Sequence, residues 1–162
     1  MPMAISARVS KRLGFVLRFC ECLVCLVSFS VMVADKNRGW ALDSFHHYVE
    51  FRYAMIINII GFAYSGVQGL DLLHQLTKGK DVVGMTRVRC FFDFSIDQVM
   101  AYLLVSASSS AFTRVDDWIS NWGNDQFPAM ASTSVVLSFV ASLAFAFSSL
   151  ISGYLLCTHT LT

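Results

Sequence analysis

Four stretches of the sequence are apolar over the length of a membrane crossing, and no other feature restricts the fold as severely. They occupy residues 13–34, 53–73, 91–112 and 134–157. An α-helix rises about 1.5 Å per residue, so roughly 20 residues cover the ~30 Å of hydrocarbon in a bilayer. Each stretch meets that length. All are too long for barrel strands and lack a strict period of two. A helix also satisfies its backbone hydrogen bonds internally, which lipid demands. The expectation is an all-α integral membrane protein, a four-helix transmembrane bundle over residues 13–157.

Composition closes off the soluble alternatives. Hydrophobic residues make up 56% of the 162-residue chain and charged residues 14%, where a soluble domain carries about 25% charged residues. That is too thin a polar skin for a soluble fold of this size. The formal net charge is +1, with no basic surface of the kind nucleic acid requires. A cleaved signal peptide fits the first stretch poorly, because Arg18 and Glu21 interrupt a run that is already too long.

The charges between the stretches set an orientation. Residues 1–12 and 74–90 hold seven basic side chains: Arg8, Lys11, Arg12, Lys78, Lys80, Arg87 and Arg89. Residues 35–52 and 113–133 hold four, against six acidic ones. The positive-inside rule places the first set in the cytosol. The tails, 1–12 and 158–162, are then both cytosolic.

Two charges fall inside the spans at matching depth. Arg18 lies ~8 Å into the first span and Asp97 ~9 Å into the third, both from the cytosolic side, by helical rise. A lone charge there costs about 2.5–3.5 kcal/mol on insertion scales. A guanidinium–carboxylate pair relieves that cost, and Arg favours a two-pronged geometry. Glu21 follows Arg18 by three residues and shares its helix face. An interhelical cluster of Arg18, Glu21 and Asp97 is therefore expected. It reads as a structural clasp or, in the sharper alternative, as part of a proton or ion route. Confinement to one leaflet favours the clasp.

Small residues recur at helical spacing. Gly61, Ser65 and Gly69 mark the second span, and Ala101 and Ser108 share a stripe with Asp97, Leu104 and Ala111 on the third. The fourth carries Ser138, Ser142, Ala146, Ser149 and Gly153. Such stripes let helix backbones approach closely in lipid. Whether they face one another within a bundle or a second copy stays open here.

No constellation for chemistry accompanies them. Cys20, Cys22 and Cys25 lie within the first span without a histidine nearby, so they read as packing residues and not metal ligands. Cys90 and Cys157 sit at cytosolic span ends, where S-palmitoylation and a plain interfacial thiol are the competing readings. Trp40, Trp118, Trp122, Tyr48 and Tyr53 read as headgroup anchors, and His46–His47 as a solvated loop pair. His74 and His159 lack the nucleophile or metal cluster that an intramembrane enzyme needs. No catalytic, cofactor or metal residue is assigned, and no cofactor is expected.

The spans themselves carry a resemblance. RLGFVLRFCECLVCLVSFS, FRYAMIINIIGFAYSGVQ and FDFSIDQVMAYLLVSASSSA resemble the first three spans of the plant CASP-like proteins, relatives of the Casparian strip membrane domain proteins and of the wider MARVEL group. The most specific part is Asp97-Gln98 followed by Ala101-Tyr102-Leu103-Leu104. The family pairs a first-span arginine with a third-span aspartate, which map to Arg18 and Asp97. The resemblance implies a multi-pass plasma-membrane scaffold that associates with itself and with related CASP-like proteins. It further implies platforms that recruit cell-wall-modifying enzymes. The first outer loop, DKNRGWALDSFHHYVEFR, departs from the strip-forming members, so a general CASP-like scaffold is the expectation. A small transporter or channel subunit using the Arg18–Asp97 pair is the alternative, and it lacks the repeats and broken helices common in transporters.

Overall fold

The computed structural model of the chain describes residues 2–34, 48–78, 86–123 and 126–160. Within them the chain forms four helices: α1 (Pro2–Ala34), α2 (Val49–Lys78), α3 (Thr86–Trp122) and α4 (Gln126–Thr160). All four are long and apolar enough to cross a membrane. Trp40, His46 and His47 lie outside the described residues, as do the side chains of Trp122 and His159.

Each expected span lies inside one helix, and the helices run further. The stretch 113–133, read from the sequence as a connecting loop, is helical on both sides of Gly123. Residues 2–12, read as a tail, begin α1. Hydropathy marks where hydrocarbon would be, whereas a helix ends where its hydrogen-bond ladder is stopped. At Gly123 the stop is local: its backbone adopts φ 89°, and its N–H closes on the Ile119 carbonyl at 3.1 Å. That left-handed cap suits glycine, which has no Cβ to clash. Pro128 stands in the first turn of α4, where a missing N–H breaks no helical bond.

The helices alternate in direction and form a square. α1 packs on α2 and α4, and α3 packs on α4 and, less extensively, on α2. The diagonal partners α2 and α4 touch only slightly, and α1 and α3 approach least of all.

The bundle is apolar outside, and its interior mixes apolar side chains such as Phe51, Leu104 and Phe145 with many small and polar ones. Leu13, Val16, Phe19 and Leu23 of α1 and Phe139, Val140, Leu143 and Phe147 of α4 point outward. The interior holds Ser28, Asn58, Ser65, Ser108, Ser134, Ser138, Ser142 and Ser149. Water-soluble cores sort the other way; in lipid the outer surface needs no polar groups, and close packing with internal hydrogen bonds holds helices together.

The small-residue stripes are used inside the protomer. Gly61, Ser65, Ala101, Ser108, Ser138 and Ser142 are buried, and Ala146 packs against the core. A Cβ on Gly69 would lie 3.9 Å from the Cβ of Arg18, and one on Gly153 would meet the Phe94 ring at 3.1 Å. These glycines therefore mark the α1–α2 and α3–α4 seams.

Several of these serines and the buried Asn58 join helices directly. The Ser28 hydroxyl donates to the Ser134 carbonyl at 2.9 Å, and the Ser134 hydroxyl donates back to the Ser28 carbonyl at 2.7 Å. Asn58 donates to Ser138 at 2.9 Å, tying α2 to α4 across the diagonal. Ser149 donates to Gln98 at 2.9 Å. Ser142 instead bonds back to the Phe139 carbonyl of its own helix at 2.6 Å, a common resort of mid-helix serine.

Candidate functional site

The charged cluster forms where α1 and α3 face each other across the diagonal. Asp97 and Arg18 stand at matching height because α1 and α3 run in the same direction. The Arg18 side chain spans the gap between them. Its Nη1 and Nη2 donate to Asp97 Oδ1 and Oδ2, each at 2.6 Å. This is the fork geometry that places two charge-assisted bonds in parallel. Nη1 also donates to Glu21 Oε2 at 3.1 Å, one turn along the same helix. Arg18 is 4% exposed, while Glu21 and Asp97 are fully buried.

Helices α2 and α4 complete the surroundings. The Arg18 guanidinium lies 5.3 Å from the centre of the Tyr64 ring, within cation–π range. Gln68, one turn on from Tyr64, donates to the Tyr64 hydroxyl at 3.4 Å and to Asp93 at 2.6 Å. Asp93 leads outward to Arg89, which bonds Asp71 at 2.8 Å on the exposed surface. From α4, Ser148 is buried and adjoins the Glu21 carboxyl. Tyr64, Gln68, Asp93 and Ser148 belong to the site although the sequence reading did not assign them to it. Gln68 carried a usable signal, because an amide inside a span needs a partner.

Immediately beyond the charges an apolar layer forms with one member from each helix. A Cβ built on Gly61 of α2 would lie 3.1 Å from Cys25 Sγ of α1, 3.4 Å from Met100 Cε of α3 and 3.5 Å from the Phe145 ring of α4. Cys25 and Phe145 are fully buried and Met100 nearly so. The absence of a side chain at Gly61 is what lets the other three converge.

The remaining candidates lie apart from the cluster. Cys157 is exposed and Cys90 half-buried at the same end of the bundle, and both thiols are free. Cys25 packs in the core, Cys22 is half-buried, and Cys20 faces outward, so packing does not account for all three cysteines of α1. Trp118, expected as a headgroup anchor, is 8% exposed and belongs to the core. Its ring stands edge-on to Tyr48 at 5.7 Å, and Tyr48 in turn carries the Arg114 guanidinium 5.3 Å above its ring. Arg114 also reaches Glu50 at 3.1 Å. The aromatic ring that could have anchored at a headgroup plugs the far end of the bundle instead.

Comparison with known proteins places the chain among relatives by sequence. The family model for the Casparian strip membrane protein domain matches residues 7–144. CASP-like protein 4A3 of Arabidopsis thaliana is 54% identical over 142 residues, 88% of this chain and 49% of that protein. CASP-like protein 4A1 of Arabidopsis thaliana is 53% identical over 147 residues, covering 90% of this chain and 53% of that protein. CASP-like protein 4A2 of Oryza sativa subsp. japonica is 47% identical over 146 residues, covering 90% and 47%. The chain thus spans about half the length of the curated relatives it matches. No solved structure matches it. With the family model covering residues on all four helices, the chain belongs to the Casparian strip membrane protein domain family of CASP-like membrane proteins.

Proposed function

We propose that the protein is a plasma-membrane scaffold without enzymatic activity. Its protomers hold both ends in the cytosol, associate with one another and with related CASP-like proteins, and organise membrane patches. Such patches recruit cell-wall-modifying enzymes. The basic residues at the Arg18 end of the bundle support this orientation.

The observation that carries the reading is the apolar layer of Cys25, Gly61, Met100 and Phe145. A transporter needs its charged site to open alternately to both faces. Here the charges stand on one side of a close-packed layer contributed by all four helices. They serve as a clasp that fixes the protomer, leaving its apolar outer surface for lipid and neighbouring copies.

Photobleaching of a fluorescently tagged copy in living plant cells tests the proposal. A scaffold recovers over many minutes or not at all, from discrete patches, and co-purifies with a second, differently tagged copy. Fast and uniform recovery, with no co-purification, would refute it. Ion flux through reconstituted vesicles that changes with Asp97→Asn would point to the transport reading instead.

A further inference from the structure

The clasp contains two carboxyl groups and one guanidinium, all buried, so with every group ionised it carries one net negative charge. A buried charge without a partner is strongly disfavoured in a medium of low dielectric. The two carboxyls are not equivalent. Asp97 accepts from both prongs of Arg18 at 2.6 Å, which engages each of its oxygens. Glu21 shares one prong at 3.1 Å through Oε2. Its other oxygen, Oε1, is buried and has no hydrogen-bond partner, although the residue is 0% exposed.

We propose that the cluster is a proton-binding site, with one proton held on Glu21 Oε1 and the Arg18–Glu21–Asp97 set thereby neutral. Protonation removes the surplus charge, while Arg18 and Asp97 stay a matched ion pair. The groups around Glu21 are consistent with this. Its own helix supplies Arg18 and the thiol of Cys25, α3 supplies Asp97, and α4 the Ser148 hydroxyl. Tyr64 of α2 faces Arg18 and Asp97. No second cation is among them. A bound metal ion would need several ligands, and the described residues contain no group of three or more His, Cys, Asp or Glu able to hold one. Tyr64, Gln68 and Asp93 connect the cluster to the surface on the same side of the apolar layer, so the proton exchanges with that face alone.

The composition makes a direct test available. The sequence has two glutamates, Glu21 and Glu50, and Glu50 is ion-paired with Arg114 at a half-exposed position. The full chain, labelled with carboxyl-13C glutamate and placed in lipid nanodiscs, is followed by infrared spectroscopy as pH is varied. Near neutral pH, half of the label is expected in the protonated-acid carbonyl band and half in the carboxylate bands. The acid band fades as pH is raised and is absent in Glu21→Gln. Both labels in carboxylate form would overturn the proposal, as would an acid band that follows 13C-aspartate. A spectrum that changes when sodium and potassium are replaced by N-methylglucamine at fixed pH would identify a metal cation as the counter-charge and also overturn it. If Glu21→Gln fails to accumulate, the labelled wild-type protein alone decides the matter. The readout is made on isolated protomers, so it stands or falls separately from self-association.

Discussion

Arg18 and Asp97 are joined by two bonds of 2.6 Å, although α1 and α3 are the pair of helices that approach least. The fork is therefore a strut across the diagonal. Removing Arg18 leaves Asp97 as a buried charge, which costs about 3–5 kcal/mol in comparable cases. Removing Asp97 leaves Arg18 with Glu21 at 3.1 Å as its remaining partner. Replacing both Arg18 and Asp97 with apolar groups is often neutral. Arg18→Leu should lower thermal stability in detergent sharply, and Asp97→Leu by less, because Glu21 takes over as the counter-charge of Arg18. The double variant should recover most of the loss, giving a large coupling energy. Additive losses would mean that the two side chains do not act as a pair.

Gly61 and Gly66 lie on the same helix and should respond in opposite ways. A Cβ at Gly61 presses on Cys25 at 3.1 Å, whereas one at Gly66 meets Cys22 Sγ only at 4.0 Å. Gly61→Val overfills the apolar layer and should cost about 1–3 kcal/mol. Gly66→Ala should be neutral or stabilise by up to about 1 kcal/mol, through helix propensity. Unfolding curves of the two variants make the comparison, and equal tolerance at Gly61 would show that the layer is loosely packed.

The reciprocal Ser28–Ser134 pair predicts coupling between α1 and α4. Interhelical hydrogen bonds in membranes average about 0.6 kcal/mol and reach about 1.7. Ser28→Ala and Ser134→Ala should each fall in that range. Because the two hydroxyls also lie 3.3 Å apart, the two losses should couple and not simply add. Ser28→Leu should cost much more, since it forces apart backbones close enough for these bonds. A harmless Ser28→Leu would place the α1–α4 contact elsewhere.

Cysteine labelling separates exposure from orientation. A water-soluble maleimide applied to intact protoplasts should leave a variant retaining only Cys157 unmodified and label it after permeabilisation. Labelling from outside would invert the proposed topology. Cys25, fully buried, should react only once the protein is unfolded. Resistance of Cys157 that hydroxylamine removes would identify it as acylated.

Much of this architecture is legible in the sequence because it depends on length and depth alone. The helical rise sets Arg18 and Asp97 at one level, and a spacing of three sets Glu21 beside Arg18. The faces of the helices are harder to read. A stripe of small residues permits close approach without naming its partner, so the places of Gly61 beside Phe145 and Gly153 beneath Phe94 emerge only from the assembled square. Trp118 shows a different limit. An amphipathic ring near the end of a span suits a headgroup layer and a bundle plug equally well, and its neighbours Tyr48 and Val115 decide between them in three dimensions. Tyr64 likewise gives no sign of its role until the guanidinium of another helix lies over it.

The apolar layer around Gly61 has an electrical consequence. Moving a unit charge across a whole membrane against 100 mV involves about 2.3 kcal/mol, and the potential falls mainly across the least polarisable region on its path. In this bundle that region lies beyond the clasp, between Cys25 and Phe145, so Arg18, Glu21 and Asp97 stand near the potential of one aqueous face. With a proton bound as proposed, the clasp answers to the acidity of that compartment more than to swings in membrane voltage.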